Sequence, residues 1–361
     1  MRNNPELSLG IIGAGSIGTR HVSNLEVMGD VTVSAVCDTV PSQLETLAGR
    51  AKARAYSDIA EMFKGEPGLD AVVICVPPVI RQQIFELAAE HEVAVFCEKP
   101  PASSMDDARA VARIVRDSGM ICSVGFNWRY SPAVQYMRQL LHKQPAQLVL
   151  STFLSGGGSV VGLRREASGN WFFKKAISGG PNIDQAIHVI DQMRFLMGEI
   201  VKAQTFATNL IPKSQDFTVE DTTSTNLQFA SGAMGMHVHS WGTPPPGDNR
   251  FKLIGLDYWL ELKPYTPAQV QGSMGDTSDN LEEIDKTFAR DFTDARNERV
   301  VEPPDPWHYE EIKVFLDAVR TRDASGVHSS YDDGMRSLAV VLAMNRSIDS
   351  GEAEAIGELT P

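Results

Sequence analysis

The sequence has few cysteines and no long apolar run. Its four cysteines, Cys37, Cys75, Cys97 and Cys122, all lie in the first third of the chain, within or at the end of apolar stretches and without CxxC spacing. This arrangement excludes the common zinc and redox motifs and predicts buried free thiols. No apolar run reaches the ~18 residues needed to span a bilayer, and residues 1–6 lack the pattern of a secretory signal. We therefore expect a cytoplasmic protein with no membrane partner.

Positively charged residues are also in the minority. The chain has 33 lysines and arginines against 46 aspartates and glutamates, which gives a net charge of −13. This charge opposes binding to a phosphate backbone or an anionic membrane, so we expect no nucleic-acid partner. The 361 residues, of which 42% are hydrophobic, suffice for a large packed core without disulfide or metal staples. Their number suggests two domains.

Residues 7–125 alternate between short apolar runs and amphipathic stretches of helical length. The predicted strands are Leu7–Ile12, Val31–Cys37, Ala71–Val76, Val93–Cys97 and Ile121–Val124, and the predicted helices are Ser16–Met28, Ile80–His91 and Ser104–Asp117. Near-continuous apolar strands separated by helices are typical of a parallel, doubly wound sheet. We therefore predict that residues 1–125 form an α/β domain of the Rossmann type.

A different pattern begins after Asn127 and predicts an α+β domain over residues 126–361. Its predicted helices are Pro132–Leu141, Ile183–Met197, His308–Arg320 and Asp333–Ser350, and its predicted strands are Leu148–Leu154, Ala203–Thr208, Thr222–Phe229, Ala233–Trp241, Phe251–Ile254 and Tyr258–Leu262. Short turns between alternating strands indicate an open, largely antiparallel sheet. Residues 264–306 are polar, acidic and interrupted by proline, which predicts a long surface excursion. Because the helices can cover only one face of the sheet, we expect self-association through the other, as a homodimer or homotetramer.

A glycine motif, Gly13-Ala14-Gly15-Ser16-Ile17-Gly18, directly follows the first predicted strand and opens the first predicted helix. The first glycine allows a tight turn, the second lets a pyrophosphate approach the backbone, and the third lets helix and strand pack closely. Asp38 ends the second strand twenty residues after Gly18, where a carboxylate binds ribose hydroxyls and repels a 2′-phosphate. We predict NAD as the cofactor, bound by Gly13, Gly15, Ser16, Ile17, Gly18, Asp38, Val76, Pro77, Glu98 and Lys99.

Two further groups of residues could carry chemistry. Glu98-Lys99-Pro100 follows the strand Val93–Cys97, at the sheet edge where open α/β folds bind ligands. Asp184 and His188 follow Gly179-Gly180 and lie four residues apart on a predicted helix, so they share a face. Taken alone, Lys99 could be a solvated loop residue and His188 a hydrogen-bonded core histidine.

In their order and spacing, these motifs resemble the Gfo/Idh/MocA oxidoreductases, a family named for glucose-fructose oxidoreductase and inositol dehydrogenase. The resemblance covers nearly the whole chain, including residues 127–132. It implies a Rossmann domain joined to an α/β domain whose open sheet mediates dimers or tetramers, and an activity on sugars, inositols and related polyols. The catalytic lysine, aspartate and histidine of the family fall on Lys99, Asp184 and His188.

The sequence departs from this family pattern after the strand Ala71–Val76. Family members often carry a histidine there, whereas this chain has Arg81, which leaves the cofactor contacts of that region open. The segment Gly156–Lys175 is expected from its position to line the substrate pocket. The candidate substrate-binding residues are Asn127, Arg129, Arg164, Trp171 and Lys174.

Together with the dinucleotide motif, the family resemblance implies an NAD-dependent dehydrogenase acting on a hydroxyl of a sugar or inositol-like polyol. His188 would accept the hydroxyl proton, Lys99 would hold the reacting oxygen, and Asp184 would anchor a neighbouring hydroxyl. No metal is expected, because His237 and His239 share a strand face without an evident third ligand. Two alternatives are a redox-neutral enzyme that oxidises its substrate transiently and a catalytically silent NAD-binding regulatory protein.

Overall fold

The chain forms two compact units. The first comprises Met1–Tyr130 and Arg290–Met335, and the second comprises Ser131–Ala289 and Arg336–Pro361. The computed structural model describes residues 6–142, 144–154, 170–244, 246–263, 268–275, 281–288, 292–294, 299–301 and 306–357. This division differs from the two consecutive ranges expected from the sequence, because the chain returns to the first unit after residue 289.

The first unit contains a six-stranded parallel sheet in the order β3-β2-β1-β4-β5-β6. Its strands are β1 (Leu7–Ile12), β2 (Val31–Cys37), β3 (Arg54–Tyr56), β4 (Ala71–Ile74), β5 (Ala94–Cys97) and β6 (Cys122–Val124). The helices between them are α1 (Ser16–Leu25), α2 (Pro41–Ala51), α3 (Ile59–Gly65), α4 (Arg81–Glu90) and α5 (Met105–Ser118). Strands β4 and β5 are fully buried, as expected for strands covered on both faces. The predicted Rossmann architecture is confirmed.

A helix from the end of the chain completes the core of the first unit. This helix, Pro306–Thr321, buries Tyr309, Ile312, Phe315 and Leu316 in the same apolar cluster as residues of β1 and α1. These four side chains are at most 1% exposed. Burial of this apolar face gives a physical reason for the return of the chain to the first unit.

The second unit is built on a nine-stranded sheet in the order β14-β13-β12-β11-β7-β10-β9-β8-β17. The strands are β7 (Leu148–Leu154), β8 (Ile200–Thr208), β9 (Thr222–Phe229), β10 (Met234–Ser240), β11 (Asp248–Ile254), β12 (Tyr258–Lys263), β13 (Ala268–Gly275), β14 (Leu281–Phe288) and β17 (Glu354–Ala355). The pair β7–β10 is parallel, and the other paired strands are antiparallel. The largely antiparallel sheet predicted for this region is confirmed.

The remaining helices are α6 (Pro132–Leu141), α7 (Lys175–Ser178), α8 (Ile187–Met197), α9 (Pro306–Thr321) and α10 (Tyr331–Ser350). Helix α6 packs on strands β12, β13 and β14 and on α8. Among the described residues, no helix is long and apolar enough to cross a membrane.

The prediction of a surface excursion over residues 264–306 is wrong. Strands β13 and β14 extend the large sheet, and Phe292–Asp294 (β15) pairs with Arg299–Val301 (β16). Along β13, Ala268 and Val270 are buried, whereas Gln269 and Gln271, which alternate with them, are half-buried. A strand with only one buried face needs few apolar residues, so its composition resembles that of a loop.

The large sheet has one buried face and one face with exposed apolar side chains. Along β10, Gly235, His237 and His239 are buried, whereas Met234 and Met236 are 60% and 45% exposed. Phe206 on β8 and Trp259 on β12 are also exposed large apolar residues. We call the side of the sheet that carries Phe206, Met234, Met236 and Trp259 the open face.

Candidate functional site

The glycine motif of the first unit forms a tight turn at the end of β1. Gly13 has a φ of +106°, and a Cβ atom there would lie 2.9 Å from the main-chain carbon of Cys75. A Cβ atom on Gly18 would lie 2.0 Å from the Gly13 carbonyl oxygen. At Gly15, by contrast, the nearest atom would be 4.0 Å away. The first and third glycines are therefore required by packing, while the second leaves open space at the N-terminus of α1.

This open helix N-terminus fits the diphosphate of a dinucleotide. Helix α1 begins at Ser16, followed by Ile17, and none of the described side chains caps it. The first main-chain N–H groups of a helix lack partners within the helix and carry a partial positive charge. An anion is therefore stabilised at this position.

Asp38 lies beside the glycine turn, at the end of β2. Its Oδ2 atom accepts a hydrogen bond of 2.6 Å from the Ala14 N–H, and its Oδ1 atom accepts one of 2.8 Å from the Val40 N–H. A cavity of about 400 Å³ adjoins the turn and is lined by Ala14, Thr19, Ser42, Gln43, Thr46, Leu47 and Arg50. The Arg50 guanidinium is engaged by the Glu26 carboxylate, at 3.0 and 2.5 Å. Asp38 thus supplies a fixed negative charge where the sequence predicts the ribose.

Residues 98–100, which we call the lysine segment, follow β5. Glu98 is 5% exposed, and its Oε1 atom accepts a hydrogen bond of 2.7 Å from His21 Nε2. Burial alone would raise the pKa of Glu98, but the hydrogen bond from His21 and the charges of His21, His308 and Lys99 lower it to about 2. Glu98 is therefore ionised at neutral pH, directly before the half-buried Lys99.

Val76 and Pro77 lie after β4, at the same edge of the parallel sheet. The Val76 carbonyl accepts hydrogen bonds from Arg81 Nε and Nη2, at 2.9 and 2.7 Å. Arg81 begins α4 and is 3% exposed. The structure thus places Arg81 in contact with the main chain, an arrangement that the sequence left open.

In the second unit, Asp184 and His188 lie where a π-helical turn passes into an α-helix. The turn spans Asn182–Ala186, and α8 follows from Ile187. Gly179 and Gly180 precede it with φ values of +75° and +82°, which disfavour any residue with a side chain. Both Asp184 and His188 are half-buried. Single π-helical turns within helices occur often at functional sites.

Asn345 on α10 holds this turn, and sequence reasoning missed it. Its Nδ2 atom donates to the Gly179 carbonyl and its Oδ1 atom accepts from Asn182 Nδ2, both at 2.9 Å. Asn182 Oδ1 accepts a further bond of 3.1 Å from the Thr223 hydroxyl. The two Asn345 contacts join segments more than 160 residues apart in the chain, and no local pattern signals them.

Two of the candidate substrate residues have partners inside the first unit. Asn127 is 3% exposed, and its Nδ2 atom lies 3.3 Å from His308 Nδ1. Arg129, equally buried, forms an ion pair of 2.5 Å with Asp333 and donates to a main-chain carbonyl. These contacts support a structural role for both residues, and we propose no substrate contact for them.

The other three candidates belong to the second unit. Lys174 Nζ lies 4.0 Å from Asp216 Oδ1. The main chain of Trp171 forms part of a 3₁₀ turn, Trp171–Phe173. Arg164 and most of the segment 156–175 lie outside the described residues. Their substrate contacts stay a prediction.

Several buried side chains have the types found in metal sites. The ligand atoms of His21, Glu98 and Glu311 lie within 4.8 Å of one another. The hydrogen bond between His21 and Glu98 accounts for the short contact in this group, and we assign no metal to it. His237 and His239 are fully buried, and burial lowers the pKa of His237 to about 4. Both histidines are therefore neutral at pH 7.

Comparison with known families matches most of the chain. Residues 7–126 match the family described as "Oxidoreductase family, NAD-binding Rossmann fold". Residues 155–261 match the family described as "GFO/IDH/MocA C-terminal domain". The first match covers the glycine turn, Asp38 and the lysine segment, and the second covers Asp184 and His188.

Individual relatives carry related names. The chain is 27% identical over 344 residues to an inositol 2-dehydrogenase from Rhizobium meliloti (strain 1021), covering 94% of this chain and 96% of that protein. It is 26% identical over 246 residues to a 2,7-anhydro-N-acetylneuraminate hydratase from Mediterraneibacter gnavus, covering 68% and 63% of the two chains. A solved structure of levoglucosan dehydrogenase in complex with NADH and levoglucosan matches with a TM-score of 0.80 at 21% identity, covering 98% and 100%. This last likeness supports the fold.

Proposed function

We infer that this chain, which belongs to the GFO/IDH/MocA family of NAD-binding oxidoreductases, oxidises a hydroxyl group of a cyclic polyol or sugar. The observation that carries the proposal is the open glycine turn beside Asp38, which fits a dinucleotide. The relative named inositol 2-dehydrogenase supports the substrate class. Lys99, Asp184 and His188 supply the residue types that such an oxidation needs.

Each of these three residues has a distinct proposed task. NAD, when bound, accepts the hydride that leaves the substrate carbon. His188 accepts the proton of the reacting hydroxyl, since an imidazole exchanges protons near neutral pH. The Lys99 ammonium stabilises the negative charge that develops on the oxygen. Asp184 binds a neighbouring hydroxyl of the substrate.

A substrate panel tests the reaction class. We expect NAD reduction, measured as NADH absorbance, with at least one of myo-inositol, scyllo-inositol, levoglucosan or a pyranose sugar. The rate of oxidation should rise with pH through one ionisation, because only the neutral imidazole of His188 can accept a proton. No NADH formation with any cyclic polyol or sugar at millimolar concentration would contradict the proposal.

The variant His188→Asn tests the proton acceptor. Loss of a positioned base costs ~10²–10⁴ in rate, so kcat should fall by at least about 10²-fold and the rise with pH should disappear. The affinity for NADH should be nearly unchanged, because His188 is assigned to the substrate. His142→Asn, which alters an exposed histidine of the same unit, is the matched control. A His188→Asn enzyme with an unaltered pH profile and more than a tenth of the wild-type kcat would require another base.

A redox-neutral reaction is the second candidate. The relative named as a hydratase favours it, because a hydratase has no net redox change. In that case product would form without NADH release, with NAD acting in catalytic amounts. The ratio of NADH to product, measured by absorbance and chromatography, separates the two functions: a ratio of one supports the dehydrogenase, and a ratio near zero supports the alternative.

A further inference from the structure

Arg81 connects the segments that follow two neighbouring strands of the first unit, β4 and β5. Its Nε and Nη2 atoms donate to the carbonyl of Val76, after β4. Its Nη1 atom donates to the carbonyls of Glu98 and Pro100, after β5. All three guanidinium nitrogens are thus engaged, and together they bind three main-chain carbonyls. One side chain therefore fixes the main chain on both sides of Lys99.

Because Arg81 is buried, breaking its hydrogen bonds would be energetically unfavourable. The residue is 3% exposed, and a buried guanidinium is stable only while its N–H groups are hydrogen-bonded. The planar guanidinium has five donors in fixed directions, whereas a lysine ammonium in the same place is a single point. A lysine would offer one nitrogen to three carbonyls that Arg81 binds with three separate nitrogens.

The side chain of Glu98 gives the lysine segment a second attachment. It accepts the hydrogen bond from His21, which lies on α1 three residues after Gly18. The His308 ring and the Glu311 carboxylate also lie near His21. The Glu98 carboxylate thereby connects the lysine segment to α1, while Arg81 binds the main chain of that segment.

We propose that Arg81 is a positioning residue that acts through Lys99, by holding the main chain on both sides of it in one conformation. The inference rests on the proposed function, in which the Lys99 ammonium contacts the reacting hydroxyl. A displacement of about 1 Å of a reacting group can cost ~10² in rate. Arg81→Lys should therefore lower kcat by about 10²-fold and leave the dissociation constant of NADH within about threefold of the wild-type value.

A double-mutant cycle separates positioning from a general structural role. The four enzymes are the wild type, Arg81→Lys, Lys99→Ala and the double variant, assayed with the panel compound that the wild type oxidises fastest. If Arg81 acts through Lys99, the change at position 81 should lower kcat by less than about threefold once Lys99 is absent, because residues that act as a unit are not additive. Equal losses in both backgrounds would overturn the proposal.

NADH binding and thermal unfolding, neither of which depends on turnover, are measured for the same four enzymes. NADH binding is followed by fluorescence, and folding by the thermal midpoint. Arg116→Lys, at an exposed arginine of α5 in the same unit, is the matched control and should behave as the wild type. If Arg81→Lys does not fold, Arg81→Gln, whose amide donates hydrogen bonds without a charge, takes its place in the cycle.

The cycle also separates failure of the inference from failure of the proposed function. If Lys99→Ala loses kcat by 10² or more while Arg81→Lys is unimpaired, the proposed role of Lys99 stands and the positioning role of Arg81 is wrong. If Lys99→Ala keeps the wild-type kcat, the proposed function loses its Lys99 step, and the inference falls with it.

Discussion

At the scale of single residues, we propose that Asp38 determines which dinucleotide the first unit prefers. Its carboxylate is fixed beside the glycine turn by the Ala14 and Val40 N–H groups. The arginine that lines the adjoining cavity, Arg50, is paired with Glu26. A 2′-phosphate would meet a fixed negative charge there, so we expect NAD to bind more tightly than NADP.

Asp38→Ala should weaken NAD binding and narrow the difference between the two dinucleotides. Hydrogen bonds to a charged group contribute ~1.5–3 kcal/mol, which corresponds to about 10- to 100-fold in the dissociation constant. Calorimetric titration with NAD and NADP measures both effects, and Asp117→Ala, at an exposed site of the same unit, is the control. Equal affinity of the wild type for NAD and NADP would show that Asp38 does not set the preference.

His237 makes the stability of the second unit depend on pH. Burial lowers its pKa from 6.5 to about 4, although a hydrogen bond to Ser151 opposes the shift. A pKa lowered by folding means that the neutral form is favoured in the native state. Above pH 6.5 the histidine is neutral in both the folded and the unfolded state, and the free energy of unfolding is highest. As the pH falls from 6.5 towards 4, the unfolded state binds the proton more readily, so the free energy of unfolding decreases.

His237→Gln should flatten this pH dependence. One histidine contributes up to ~1.4 kcal/mol per pH unit to the slope of the free energy of unfolding. Urea unfolding at pH 7.5, 6.5 and 5.5 measures the slope, with His142→Gln as the exposed control. The hypothesis fails if the slopes of the wild type and of His237→Gln are the same.

At the scale of secondary-structure elements, the π-helical turn Asn182–Ala186 depends on the distant helix α10. Asn345 on that helix binds both Gly179 and Asn182. The two hydrogen bonds stabilise the conformation from which Asp184 projects. Asn345 thus has a structural role within the second unit.

Asn345→Ala should lower both stability and kcat. Leaving buried polar groups without partners costs ~1–3 kcal/mol, and a shifted Asp184 should lower kcat further than the stability loss explains. Asn209→Ala removes a comparable hydrogen bond, to the Val219 carbonyl, elsewhere in the second unit. It should lose stability and keep kcat. Equal kcat in the two variants would exclude a link between Asn345 and the turn.

At the scale of the whole molecule, the open face of the large sheet predicts self-association. Phe206, Met234, Met236 and Trp259 are all exposed there, and exposed apolar patches mark interaction surfaces. Neighbouring strands extend the patch, since Met236 pairs with Leu150 on β7. We propose a second copy of the chain as the partner of this face.

Met236→Asp should weaken this association by burying a charge in the interface. We expect a dimer or tetramer for the wild type at micromolar concentration and a shift towards monomer for the variant, both measured by light scattering. Glu282→Lys, at an exposed site on the opposite face of the same sheet, is the control. A wild-type protein that is monomeric with and without NAD would refute the proposal.

The parallel sheet and the glycine turn could be predicted from local patterns in the amino-acid sequence. Strands buried on both faces must be apolar throughout, so β4, β5 and the mostly buried β1 can be recognised as runs of hydrophobic residues. The short strand β3 was missed because it is mostly exposed. The glycine turn could also be predicted from local sequence, because most of the steric contacts that require its glycines come from residues close in the chain. The contact of Gly13 with Cys75 is the exception.

The contacts between distant segments could not be predicted before the fold was known. Strand β13 has one buried face, and Ile284 is the single buried residue among the described side chains of β14, so the composition of neither strand distinguishes it from a loop. The return of Pro306–Thr321 to the first unit follows from apolar burial against residues nearly 300 positions away. Arg81 and Asn345 act through hydrogen bonds to main-chain groups. Every residue carries such groups, so the sequence cannot indicate which ones a side chain will bind until the fold has brought them together.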